Sequence, residues 1–274
     1  NIGWQAIAFG NNTFCAVGGG LDTTLRTTST VTLTSSNSAT WTLNGSALTA
    51  SDYRCIWYAE SKFVTLSYGN NFARYSSDGI TWSSGSGLPV GKWKDMGYDT
   101  SLSRFVAVSI MPVLVNSVNA TTLAFATTNS RITRAAGNFT TDTYFVGGKI
   151  TITGTASNDG TYTIAAVSTT TMDVNEALVN EAANAAAVIT PIEGSAYSDD
   201  GITWSVGSPT TPLVYGNWRS VAASGSGRFV TISNSANDDR AAYSDDGINW
   251  TTSTLPIKST WACVEYGNGR FVAM

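Results

Sequence analysis

Three stretches of this chain are near copies of one octapeptide. Residues 75–82 read Tyr-Ser-Ser-Asp-Gly-Ile-Thr-Trp, residues 197–204 read Tyr-Ser-Asp-Asp-Gly-Ile-Thr-Trp, and residues 243–250 read Tyr-Ser-Asp-Asp-Gly-Ile-Asn-Trp. Each copy must belong to one unit of a repeated structure, and such units bury their apolar faces on one another. The repeat also redirects the search for function. What every copy shares is scaffold, so function is sought in what the copies do not share.

The octapeptide is half of a longer unit. Ahead of each copy stands an aromatic residue, a short alternating run, a turn, and then a basic residue followed by Phe-Val. Trp93 leads to Arg104-Phe-Val, Trp218 to Arg228-Phe-Val and Tyr53 to Lys62-Phe-Val; Trp261 opens a last such half that ends in Arg270-Phe-Val-Ala-Met, and a worn copy opens at Trp4. The opening aromatics fall at 4, 53, 93, 218 and 261, so three of the four intervals are 40–49 residues and one is 125. The short intervals match propeller blades; the long one contains an insertion.

Each unit holds four short period-2 runs rich in Val, Ile, Thr and aromatics, which is the strand pattern. Gly, Asn, Asp and Ser separate the runs and supply the positive φ of tight turns. No repeat unit contains ten or more residues with helical apolar spacing. The expected fold is all-β: a β-propeller of four-stranded blades, about five units visible and the last incomplete, with a small β-rich domain inserted in the third unit. The last half-unit has no octapeptide after it, and none precedes Trp4, which suits a piece of a longer protein.

The octapeptide's own chemistry is that of a turn. An Asp side chain bonds amides of its own turn and Gly takes the left-handed conformation. Asp78, Asp200 and Asp246 are therefore expected to be structural. The segment Ser76-x-Asp78-Gly79-x-Thr81-Trp82 and its copies resemble the Asp-box of sialidase-like (BNR) propellers, shortened by one residue between Asp and Gly. The full unit is similar to propellers of bacteriophage tail and host-recognition proteins. The resemblance covers most of 1–110 and 195–274. It implies the fold, and it implies little about activity, because Asp-boxes lie away from the sialidase active site.

Residues 111–194 interrupt the third unit between its Phe-Val run and its octapeptide, so the domains are expected at 1–110 with 195–274, and at 111–194. The insert has strand-like runs of its own: Phe145 to Ile152, a hairpin turn at Asn158-Asp-Gly entering a strand, and Thr171-Met-Asp-Val. Residues 176–188 read equally as a short Ala-rich helix or as loop plus strand. A small β-sandwich or barrel results, and Asn158-Asp-Gly-Thr-Tyr-Thr-Ile resembles accessory domains of phage tail proteins.

Composition narrows the chemistry. The chain has no histidine, 12% charged residues and a net charge of −4. Histidine-dependent triads and metal sites are excluded. No basic patch calls for nucleic acid, and no run approaches a membrane span. No cofactor, metal site or catalytic residue is expected. Cys15, Cys55 and Cys263 sit in core strands of different units and read as buried apolar side chains.

The sialidase comparison implies an arginine triad, a Tyr–Glu pair and an acidic Asp. Arg104, Arg228 and Arg270 share one repeat position, which argues for a structural role, and a glycosidase needs two carboxylates at defined separation. Trp57, Tyr68, Phe72 and Tyr215 lie off the repeat or in loops and are the candidate binding aromatics, suited to stacking on sugars. The expected function is that of an exposed bacteriophage virion or tail component. It recognises a host-surface glycan or protein without covalent chemistry and sits among other virion proteins in a homo-oligomeric assembly. A purely structural scaffold, a sialidase-like hydrolase and a secreted bacterial adhesin are the alternatives.

Overall fold

The computed structural model describes residues 2–20, 30–45, 47–89, 91–110, 123–140, 144, 146, 149–184, 186–191, 194–206, 213, 216–234 and 239–274. Among them the chain is all-β, with strands and a single short 3₁₀ turn at Thr128–Ser130. The repeat builds antiparallel four-stranded meanders, the second and third of which join into one eight-stranded sheet where Tyr68 and Asn70 pair with Lys92 and Gly91. The first comprises Ile2–Gly10, Thr13–Gly20, Thr32–Ser35 and Thr42–Asn44. The second comprises Asp52–Ala59, Lys62–Asn70, Ala73–Ser76 and Ser83–Ser84. The third begins with Gly91–Asp99 and Arg104–Ser109 and ends with Ser195–Ser198 and Ser205–Val206. The fourth comprises Trp218–Ala223, Phe229–Ser233, Arg240–Ser244 and Thr251–Thr254. A two-stranded sheet, Val264–Gly267 with Arg270–Ala273, follows.

The meanders stack leading face on trailing face. Trp93, Met96, Phe105 and Trp204 of the third bury against Cys55, Val64, Leu66 and Ala73 of the second. Trp218, Val221, Phe229 and Trp250 of the fourth bury against Val106 and Val108 of the third. Tyr53, Ile56 and Phe63 of the second do the same on Cys15 and Val17 of the first. Each such side chain contributes about 1.5–3 kcal/mol on burial. Among the described residues no meander lies on the other face of the first, where Trp4, Ile7, Leu33 and Trp41 line an apolar groove of about 390 Å³.

The octapeptide turns share one hydrogen-bond set. The Asp78 Oδ1 accepts from the amides of Ile80 and Thr81 at 2.8 Å and from the Ser76 hydroxyl at 2.8 Å. Asp200 and Asp246 repeat these bonds at 2.7–2.9 Å. Burial pushes each carboxyl up, but the two amides and the serine hydroxyl outweigh it and hold all three below the usual carboxylate range. Gly79, Gly201 and Gly247 follow at φ 75°, 69° and 73°. A fourth turn of this kind occurs in the first meander, where Asn37 Oδ1 accepts from the amides of Ala39 and Thr40 at 3.0 and 2.9 Å and Ser38 takes φ 61°. The sequence of 34–41 hid it, having Asn for Asp and Ser for Gly.

Residues 123–191 form a separate seven-stranded sheet with its own core, in which Leu123, Phe125, Ile132, Ile150 and Met172 are buried. Gly160–Val167 is its bent member. Its first half pairs with Lys149–Thr153 and its second half, past a bulge at Ile164/Ala166, with Thr171–Val174. Two sequence readings are refined here. The Asp159-Gly160 pair is no two-residue turn, since Ile152 pairs with Gly160 across a longer loop that Asp159 closes by accepting from the Thr155 amide at 2.7 Å. Within 176–188, Glu181–Asn184 is a strand, so the helical alternative gives way to loop plus strand. Here β-pairing with Leu123–Ala126 overrides the alanine content.

Candidate functional site

The first strand of each repeat unit contributes to one cavity of about 350 Å³. Asp95, Ser220 and Glu265 line it. One repeat position, the residue directly after the opening aromatic, contributes Gln5, Arg54, Lys94, Arg219 and Ala262 to it as well. In four units that residue is a β-bulge. Register slips between Trp4 and Ala6, Tyr53 and Cys55, Trp93 and Asp95, and Trp218 and Ser220. A bulge leaves one residue unpaired and re-aims its side chain. Three cations, Arg54, Lys94 and Arg219, thereby line the same space.

The electrostatics follow from the neighbours. Arg54 is anchored, pairing with Asp52 at 2.7 Å while its guanidinium lies 3.7 Å from the centroid of the Tyr68 ring. Among the described residues Lys94 and Arg219 have no carboxylate at ion-pair distance. Burial, and then the charges of Arg219 and Arg54, push Lys94 below its usual range. Asp95 does not neutralise the site freely. Its Oδ2 accepts from the Ser220 hydroxyl at 2.8 Å and the Val221 amide at 3.0 Å, and its Oδ1 accepts from the Met96 amide at 2.9 Å. Burial still pushes its carboxyl up, with the charge of Glu265 adding to it. Asp95 thus ties the third meander to the fourth, and the cavity lining sets Arg54, Lys94 and Arg219 against the carboxyls of Asp95 and Glu265.

The sequence-derived candidates fall in different places. Trp57 lines the cavity and is 40% exposed. Tyr68 supports Arg54 from below as a cation–π partner. Phe72 lies apart, 4.9 Å from the Arg74 guanidinium. Tyr215 is outside the described residues. Asp78, Asp200 and Asp246 are engaged in their turns, away from the cavity lining. Arg54, Lys94 and Arg219 were not among the candidate binding residues. Their signal was a position that varies among otherwise matching units and is basic in three of them. The repeated arginines serve packing: Arg104 and Arg228 pair with Asp199 and Asp245 at 2.6 Å, and Arg104 reaches the Asp246 carbonyl of the next meander at 2.7 Å.

A Tyr–Glu pair also exists, with the Tyr98 hydroxyl donating to Glu60. Burial and Glu60 push the Tyr98 hydroxyl up. Tyr98 pairs with Phe105, which faces Ser198 at the base of the octapeptide turn. Lys94 lies four residues back along the same strand, about 13 Å at 3.3 Å per residue. Among the described residues no group of three or more His, Cys, Asp or Glu is placed to hold a metal, and no helix is long and apolar enough to cross a membrane.

No protein family and no curated protein matches the chain. Solved structures similar to it include YCF48 bound to D1 peptide, at 11% identity and TM-score 0.36 over 97% of this chain and 72% of that one. They also include the phage phi92 endosialidase, at 12% identity and TM-score 0.34 over 99% of this chain. The chain spans 42% of the endosialidase's length.

Proposed function

We propose that this protein is a non-enzymatic recognition module that holds an acidic ligand in the cavity lined by Arg54, Lys94 and Arg219. The carrying observation is that bulges in successive first strands turn three cations into one space, two of them without a carboxylate partner. A carboxylate-bearing host-surface glycan fits this chemistry, with Trp57 available to stack on a sugar ring. In this reading the meanders are blades of a sialidase-like propeller and 111–194 is a small domain inserted in the third blade. The virion setting rests on the sequence resemblance of the repeat to phage tail propellers. Neighbouring virion proteins and a homo-oligomeric assembly belong to the same proposal.

Two observations favour binding over hydrolysis. Of the two carboxylates that line the cavity, Asp95 and Glu265, Asp95 already accepts hydrogen bonds from the protein on both oxygens. The Tyr98–Glu60 pair lies four residues along its strand from Lys94, and neither residue lines the cavity that holds the cations. The uncovered apolar face with Trp4, Ile7 and Trp41 favours a second reading, a structural scaffold that packs on neighbouring subunits.

The test is calorimetric titration with carboxylated oligosaccharides and with their carboxyl-reduced counterparts. Binding is expected for the acidic set alone, weakening with salt, and falling about tenfold in Lys94→Met and in Arg219→Ala. Equal binding of the reduced sugars, or none of either, refutes the recognition reading. Release of a cleaved sugar refutes the non-enzymatic part.

A further inference from the structure

Arg54 differs from the other two cations of the cavity in having its pose fixed on an edge and on a face. Its bulge follows Asp52, which stands directly across the ladder from Tyr68. Arg54 folds back over this pair. Its Nε and Nη2 donate to one oxygen of Asp52, Oδ2, at 2.9 and 2.7 Å, and its Cζ lies 3.7 Å from the centroid of the Tyr68 ring.

Neighbouring meanders hold both supports. A Cβ on Gly19 of the first meander would collide with Asp52 Oδ1, so a glycine is what lets that backbone approach the carboxylate so closely. On the other side, Tyr68 also pairs with Lys92 of the third meander, two residues before Lys94. The supports of Arg54 are thus set by three meanders together.

We propose that Asp52 and Tyr68 are positioning residues that set the direction in which Arg54 donates into the cavity, so that the site selects an acid group carried rigidly on its ligand. The Asp52 carboxylate offsets the charge of Arg54. What Arg54 still offers is Nη1, which among the described residues has no hydrogen-bond or ion-pair partner. A planar guanidinium held on one edge and one face keeps a single orientation, which an ammonium in its place cannot do. Lys94 and Arg219 have no carboxylate at ion-pair distance among the described residues, so they supply charge while Arg54 supplies direction. A fixed donor favours a carboxylate fixed directly on a sugar ring over one on a flexible arm, because less freedom is lost on binding. This inference rests on the recognition reading of the cavity and deepens it.

Two probes of equal charge separate the cases in calorimetric titrations of the full chain: a galacturonate trisaccharide, with its carboxylates on the rings, and an O-carboxymethylated maltotriose, with them on flexible ethers. The wild type should prefer the first about tenfold. Arg54→Lys keeps the charge, so the salt dependence should stay while the preference is lost. Tyr68→Ala should lose the preference as well, and Tyr68→Phe, which keeps the ring face, should restore it. In the ligand-free chain the Arg54 Nε–H resonance should carry a ring-current shift in the wild type and in Tyr68→Phe that disappears in Tyr68→Ala. An Arg54→Lys chain that keeps the wild-type preference, or an Nε–H resonance unmoved in Tyr68→Ala, overturns the positioning role and leaves the recognition reading standing. A wild type that binds neither probe overturns both. Arg54 lies outside the ladder, so its variant remains decisive even where Tyr68→Ala fails to fold.

Discussion

Replacing Asp200 by alanine removes one acceptor that serves the Ile202 and Thr203 amides and the Ser198 hydroxyl at 2.7–2.9 Å. Hydrogen bonds to a charged acceptor contribute about 1.5–3 kcal/mol each when buried. Asp200 is exposed, so water takes over the freed amides. The net cost then resembles loss of a helix cap, about 1–2 kcal/mol. For a chain of this size that lowers the melting temperature by roughly 2–8 °C, followed by circular dichroism. Asparagine is the discriminating substitution, because Asn37 already holds the same turn in the first meander with Oδ1 alone. Asp200→Asn should lie much closer to wild type than Asp200→Ala. The sign with pH follows from the depressed carboxyl: the folded state releases this proton more readily than the unfolded one. Its charge-dependent stabilisation is complete above the unfolded value of about 3.9 and lost as pH falls through the folded value. The gap between wild type and Asp200→Asn should therefore close below about pH 4. A neutral Asp200→Ala, or an Asp200→Asn as damaging as alanine, refutes the assignment.

Two further outcomes test the packing. Gly201→Ala places a Cβ 2.7 Å from Val64 at φ 69° and should cost upwards of about 2 kcal/mol. Ser38→Gly, at φ 61° on the uncovered first meander, should instead stabilise by about 0.5–1 kcal/mol in urea denaturation. Burial pushes the Cys15 and Cys55 thiols up to about 12, while Cys263 is half-exposed. Brief native alkylation at pH 8 followed by peptide mass spectrometry should find the label on Cys263; equal labelling of all three contradicts the burial of the first two.

The strands and the turn aspartates were legible because period-2 alternation and Asp-Gly chemistry are local. The turn at Asn37 was not, since an amide oxygen and a serine in the left-handed region do the same work under different letters. The cations were hidden for another reason. A bulge is a property of two strands in register, so nothing within Tyr53-Arg54-Cys55 announces that Arg54 leaves the ladder. The surroundings of the candidate aromatics are non-local in the same way: Tyr68 and Phe72 lie against Arg54 and Arg74, partners that sequence spacing does not single out.

The bulges carry a consequence for how such a chain changes over generations. A residue extruded from the ladder owes nothing to its partner strand, so its identity can be rewritten while the surrounding frame is inherited intact. The chain already shows this freedom, with glutamine, arginine, lysine, arginine and alanine in successive units at that position. Such positions let the lining of the cavity change its charge one letter at a time. The chemistry of that space can be respelled without recasting the meanders that hold it.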